Sequence, residues 1–203
     1  MSAERLDRIT QMTQQYVDEG RVAGVVTMVA RNGKLVHFEA VGNKGTDDPR
    51  PLQKNDLFRI YSMTKPITAT AAMQLYEQGK FHMNDPVHKF IPEFKDLTVL
   101  NERGEQVPVR NHMTMQQLLS HTTGLSYGFD PQNDPVDKLY VDANLWEQED
   151  LDAFTEAVAK LPLKFEPGSA WHYSIAVDVT GAVVERISGQ SFEEYLKEKI
   201  FDP

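Results

Sequence analysis

The chain has 203 residues, 40% hydrophobic and 25% charged, the balance of an ordinary globular protein with room for one sizeable core and a subordinate second lobe. Its formal net charge of -9 argues against nucleic acid as a partner, because phosphate binding needs a basic face. The absence of cysteine excludes disulfides, thiolate metal sites and cysteine nucleophiles.

The N-terminal residues are charged and helical in pattern with no apolar leader behind them, and no apolar run approaches the roughly 18 residues of a membrane span. A cytoplasmic protein without a membrane span is the expectation. Residues 3–20 place Leu6, Ile9, Met12, Tyr16 and Val17 on one helical stripe ended by Gly20. Val22 to Arg31 and Lys34 to Val41 are β-rich runs joined by Asn32-Gly33, a pair suited to a type I′ turn because that turn needs positive φ twice. Ser62 to Gln78 is helical, with Gly79 as its C-terminal cap. A mostly irregular stretch follows, with a short ribbon near Thr98 to Val109. Thr114 caps a short helix through Ser120 that Gly124 closes, and Asp130-Pro131 and Asp134-Pro135 mark turns in a long polar stretch. Helical periodicity returns over Leu151 to Leu161 and over Ala176 to Ile187, the latter stopped by Gly189. Ser191 and Glu194 form a capping box for the last helix. One confident hairpin is too little for a stable sheet, so further strands are expected beyond residue 203, from a C-terminal segment or from a second chain that completes the sheet.

The chemistry centres on Ser62-Met63-Thr64-Lys65, a Ser-x-x-Lys motif opening a helix. Residues three apart share a helix face, so the two functional atoms can meet. A serine hydroxyl is a poor nucleophile until an adjacent base takes its proton, and lysine serves as that base when burial or a nearby cation lowers its pKa. The free N–H groups at the helix start would favour a developing oxyanion. Alone the motif is weak, and the plain alternative is a capping serine beside a solvated lysine.

Its surroundings add to it. Phe58-Arg59-Ile60-Tyr61-Ser62-Met63-Thr64-Lys65, Asn84-Asp85-Pro86-Val87 with Ile91-Pro92-Glu93-Phe94, Leu118-Leu119-Ser120-His121-Thr122-Thr123-Gly124-Leu125, Phe165-Glu166-Pro167-Gly168 and Tyr173-Ser174 follow one another in an order that resembles the serine β-lactamase-like hydrolases. Class C β-lactamases and family VIII carboxylesterases are the nearest types, and the resemblance spans nearly the whole chain. It implies an α/β fold of the β-lactamase-like kind. Residues 1–57 would supply the N-terminal helix and hairpin of a sheet domain, and residues 58–203 a mostly helical domain. It implies Ser62 as nucleophile, Lys65 as general base and Tyr173 as the proton relay, with an acyl-serine intermediate and no cofactor. Ser174 and Ile175 would stand with Tyr127 at the substrate. Ile175 occupies the position where the Tyr-x-Asn element has its amide, which tilts the expectation from β-lactams towards short-chain carboxylic esters. Peptidase or acyltransferase activity of the same residues, or a non-catalytic module, stay open.

Gly124-Leu125-Ser126-Tyr127-Gly128 matches the Gly-x-Ser-x-Gly elbow and makes Ser126 a competing nucleophile. That elbow works between a strand and a helix, whereas here a helix precedes it and a proline-containing polar loop follows. A triad in the usual order would leave only His172 as its histidine. The six histidines show no compact ligand spacing, so no metal is expected. His121 is expected to make a structural hydrogen bond, and Trp146-Glu147-Gln148-Glu149-Asp150 to form a solvated acidic turn.

Overall fold

A computed structural model describes residues 2–203 apart from Glu102. The chain divides into two compact units, Met1–Ile60 and Tyr61–Pro203.

In the first unit helix α1 (Ala3–Asp18) is capped by the Ser2 hydroxyl, which accepts from the Arg5 N–H, and its chain reverses at Gly20 with φ 67°. Strands β1 (Gly24–Arg31) and β2 (Lys34–Gly42) pair antiparallel. The turn between them sets Asn32 at φ 50° and Gly33 at φ 72°, the double positive φ of a type I′ turn. A register shift between Val29 and Ala30 kinks the pair. Thr27 Oγ1 and His37 Nε2 hydrogen-bond across it at 2.8 Å, which satisfies a buried imidazole.

The second unit holds the main core. Helix α2 (Thr64–Glu77), which buries Ala71, Ala72 and Leu75, packs against helix α6 (Ala176–Ser188). Buried residues run along nearly all of α6 from Ala176 to Val184, so it is wrapped by its neighbours rather than lying on a surface. Helices α3 (Met115–Leu119), α5 (Leu151–Ala159) and α7 (Phe192–Leu196) also pack on it. The irregular stretch after α2 buries Phe81, Val87, Ile91 and Phe94, and the short ribbon β3 (Thr98–Leu100) and β4 (Gln106–Pro108) follows. Each of these large side chains contributes about 2–3 kcal/mol by leaving water. Near the C-terminal end of α6, Arg186 reaches Glu93 at 2.6 Å and Asp152 at 2.7 Å, tying three segments together.

Two local expectations change. Helix α3 has its capping box at Thr114 and Gln117, but the left-handed residue after it is His121 (φ 57°), not Gly124. Gly124 (φ 85°) instead permits a close approach, since a Cβ there would stand 2.3 Å from the Phe165 carbonyl oxygen. Asp134-Pro135 begins a helix, α4 (Pro135–Asp142), whose N–H groups at Val136 and Asp137 donate to the Asp134 carboxylate. An acceptor followed by proline marks a turn and a helix start equally well, which is why the polar stretch concealed it. Among the described residues no helix is long and apolar enough to cross a membrane.

Candidate active site

Ser62 sits in a single 3₁₀ turn, Tyr61–Met63, that leads into α2. Tyr61 before it has φ 44°, a left-handed conformation that a bulky residue adopts only under constraint, at a cost of about 1–3 kcal/mol. The turn leaves Ser62 exposed beside the helix start. Met63, the N-cap residue, offers no side-chain hydrogen bond to the first N–H groups of α2, so the positive end of the helix dipole is not capped by a side chain. Pro66 falls in that first turn, where a missing N–H costs nothing.

The second unit brings Ser62, Lys65, Tyr127 and Tyr173 together. The Tyr173 hydroxyl lies 2.5 Å from Ser62 Oγ. Lys65 Nζ donates to Ser62 Oγ at a longer 3.4 Å and to the Tyr127 hydroxyl at 2.9 Å. Its ammonium lies 4.8 Å from the Tyr173 ring centre and 5.2 Å from that of Tyr127, a cation held between two π-faces. Tyr127 passes its own proton to Asp178 Oδ2 at 2.8 Å.

The electrostatics bear on which group takes the Ser62 proton. Burial pulls the Lys65 pKa down, but hydrogen bonds with Tyr127 and Tyr173 and the nearby Asp178 outweigh it and leave the ammonium above its ordinary value. The raised value favours the ammonium form of Lys65. The two phenols diverge. Burial pushes Tyr127 up to about 12, the Lys65 hydrogen bond opposing and Asp178 reinforcing, so it remains a neutral donor. Tyr173 moves down, chiefly through its hydrogen bonds with Ser62 and Lys65, with burial opposing. A lowered phenol beside the hydroxyl to be deprotonated is the arrangement that general base catalysis needs.

A cavity of about 720 Å³ opens over these groups. Phe129, Trp146, Leu151, Phe154 and Phe192 form its apolar walls. Trp146 does not belong to a merely solvated turn: its ring stacks on Tyr127 at 5.9 Å with 21° between planes. Ser174 and Ile175 are not brought to the cavity. Both are fully buried, and Ser174 is engaged inward, its N–H donating to His121 Nδ1 at 3.2 Å. The His121 ring in turn packs 4.9 Å from the Tyr173 ring. Asp178 escaped the sequence reading because an acidic residue in a first helical turn is ordinary, and only the fold shows it facing Tyr127.

Ser126 has an acid and a histidine in reach, yet is arranged unlike a nucleophile. It is wholly buried, and its hydroxyl donates to Asp137 Oδ1 at 2.5 Å. A carboxylate only accepts, so the one hydroxyl proton is committed there. Gly128 N–H donates to Ser126 Oγ at 3.2 Å, and His172 Nε2 lies 3.3 Å away. With its proton already given, Ser126 receives the His172 Nε2–H, the reverse of the polarity by which a histidine activates a serine. Lys164 closes the cluster, 2.8 Å from Asp137 and 2.7 Å from Asp134.

The chain matches known proteins over nearly its whole length. The family model described as Beta-lactamase matches residues 9–203. Esterase EstB from Burkholderia gladioli is 37% identical over 190 residues, which cover 93% of this chain and 46% of that protein. Lovastatin esterase from Penicillium rubens is 30% identical over 94% of this chain and 49% of its own length. The solved structure of EstCE1, a hydrolase with promiscuous acyltransferase activity, superposes with a TM-score of 0.84 at 31% identity, covering 99% of this chain and 52% of that one. The chain thus spans about half the length of the curated relatives it matches. A match over nearly every residue, in sequence and in fold, places this chain in the serine β-lactamase-like hydrolase family.

Proposed function

We propose that the chain carries the acyl-transfer centre of a serine esterase acting on short-chain carboxylic esters. The observation that carries this is the Tyr173 hydroxyl at 2.5 Å from Ser62 Oγ, with the Lys65 ammonium 4.8 Å from the Tyr173 ring. Tyr173 as phenolate takes the Ser62 proton while Oγ attacks the ester carbonyl carbon. The Ser62 N–H and the open start of α2 face the oxyanion that forms. A second oxyanion donor, from a C-terminal segment or a second chain, belongs to the same proposal. Collapse of the tetrahedral intermediate breaks the carbon–oxygen bond to the alcohol, which leaves with the proton held by Tyr173. Water then attacks the acyl-serine, gives its proton to Tyr173 and frees the acid, and Ser62 recovers its hydrogen.

Lys65 works in this scheme as a fixed cation that stabilises the phenolate, and Tyr127 and Asp178 hold it in place. The relatives named as esterases support ester chemistry. Ile175, buried and apolar, offers no amide to a β-lactam side chain, which weighs against lactam hydrolysis. A small ester as partner and a cytoplasmic location complete the proposal. Turnover of p-nitrophenyl acetate, compared with a chromogenic cephalosporin, tests it: the ester should be hydrolysed, the activity should vanish in Ser62→Ala, and the lactam should be turned over far more slowly. Ester hydrolysis that survives Ser62→Ala would overturn the assignment.

A further inference from the structure

The Gly-x-Ser-x-Gly segment has no place in the chemistry above, yet its serine lies at the centre of a saturated buried cluster. Ser126 immediately precedes Tyr127, and His172 immediately precedes Tyr173. The side chains of each pair make their contacts on opposite sides of the segment, as they would on extended backbone. Ser126 therefore turns inward where Tyr127 faces the cavity, and His172 reaches Ser126 where Tyr173 faces Ser62. Among the described residues no backbone–backbone hydrogen bond joins 125–128 to 171–174, so side chains make that tie.

We propose that Ser126, Asp137 and His172 form a positioning device that ties the segments carrying Tyr127 and Tyr173 together and thereby sets both phenols against Lys65 and Ser62. This inference rests on the esterase reading of the Ser62 site. Ser126 Oγ is the joint: it donates to Asp137 and accepts from Gly128 N–H and His172 Nε2–H. Asp137 anchors the joint to α4 and, through its second oxygen, to the Asp130 N–H at 2.9 Å. Lys164 compensates the buried carboxylate, which without a cation would be costly to keep ionised. On the other side His172 N–H donates to the His121 carbonyl at 2.9 Å, and His121 supports the Tyr173 ring. A slack joint would let Tyr173 drift from Ser62, and displacements of about 1 Å at a reacting pair cost up to about a hundredfold in rate.

The test follows Tyr173 directly, by the pH titration of its ring carbon bonded to oxygen in ¹³C-tyrosine-labelled protein, with the resonance assigned through Tyr173→Phe. This readout needs no turnover. In the native chain Tyr173 should titrate below an ordinary tyrosine. In Ser126→Ala and in His172→Leu its titration should move up, because the phenol loses its fixed place beside Ser62 and Lys65. His172→Gln, whose amide can still donate to Ser126, should restore the native curve, a rescue that a general loss of stability would not give. Ser126→Ala removes a single oxygen, so it keeps the test alive if His172→Leu does not fold, as circular dichroism would show. An unchanged Tyr173 titration in folded Ser126→Ala overturns the positioning role and leaves the Ser62 reading intact. An ordinary titration already in the native chain would strike the esterase reading, and the positioning role with it.

Discussion

Ser62 and Ser126 belong to the same unit of the chain, and each has titratable partners within hydrogen-bond reach. Ser62 is exposed on a strained turn, accepting one short hydrogen bond from a phenol whose pKa is lowered, with a cation behind it. Ser126 is fully buried, with its proton given to a carboxylate and its lone pairs taken by two N–H groups. The second serine has the amino-acid inventory of a catalytic triad and none of its polarity. What separates the two serines is a proton not committed to a carboxylate and access for a carbonyl carbon, not the presence of an acid and a histidine.

The largest expected effect breaks this comparison most sharply. Ser62→Ala should lower ester turnover by about 10⁴-fold or more, while Ser126→Ala, which only loosens the joint behind Tyr173, should cost no more than about a hundredfold, as initial rates would show. The reverse ranking would exchange the two roles.

Tyr173→Phe removes the base and should cost about 10²–10⁴-fold in kcat. Lys65→Met should lower the rate as well, and it makes a directional prediction. The Lys65 hydrogen bond and charge help to hold Tyr173 below its ordinary pKa, and in the proposed scheme the reactive form is the phenolate. Turnover therefore rises as pH increases through the Tyr173 titration, and Lys65→Met should carry that rising limb to higher pH. A limb that moved down, or stayed, would mean that Tyr173 is not the base.

Asp178→Asn weakens the acceptor that anchors Tyr127 and, through it, Lys65. The expected cost is about tenfold in kcat with little change in KM, since the residue does not reach the reacting atoms. The smallest effects concern stability. Ser126→Ala leaves buried partners unsatisfied and should lower stability by about 1–3 kcal/mol in denaturant melts. Burial would raise the Asp137 pKa, but Lys164 and Ser126 outweigh it and hold the carboxyl below its ordinary 3.8. A depressed carboxyl contributes stability that is present above its unfolded pKa and lost as pH falls through the folded one. Acid melts should therefore show Asp137→Asn losing less stability than the native chain below about pH 4.

Much of this was legible in the amino-acid order because local signals and the tertiary structure agree. Asn32-Gly33 forms the turn its φ requirements demand, and Thr114 with Gln117 and Ser191 with Glu194 cap their helices. Ser62 and Lys65 stand three residues apart at a helix start, and Tyr173 lies at the position the family resemblance marks. The rest depended on long-range packing. Asp178 meets Tyr127 across 51 residues, and Lys65 meets Tyr127 across 62, so neither pairing leaves a local trace. The upward shift of Lys65 could not be read from an apolar helix alone, because its phenol partners come from distant loops. Ser174 and Ile175 share a short segment with Tyr173 but point into the core, a difference of direction that adjacency in sequence conceals.

The most direct test of the central claim is peptide mapping by mass spectrometry after exposure of the folded chain to a fluorophosphonate, which traps activated serines. A single adduct on the peptide containing Ser62, lost in Tyr173→Phe and kept in Ser126→Ala, is the predicted result. An adduct on Ser126, or a folded chain in which Ser62 stays unlabelled, would contradict the account.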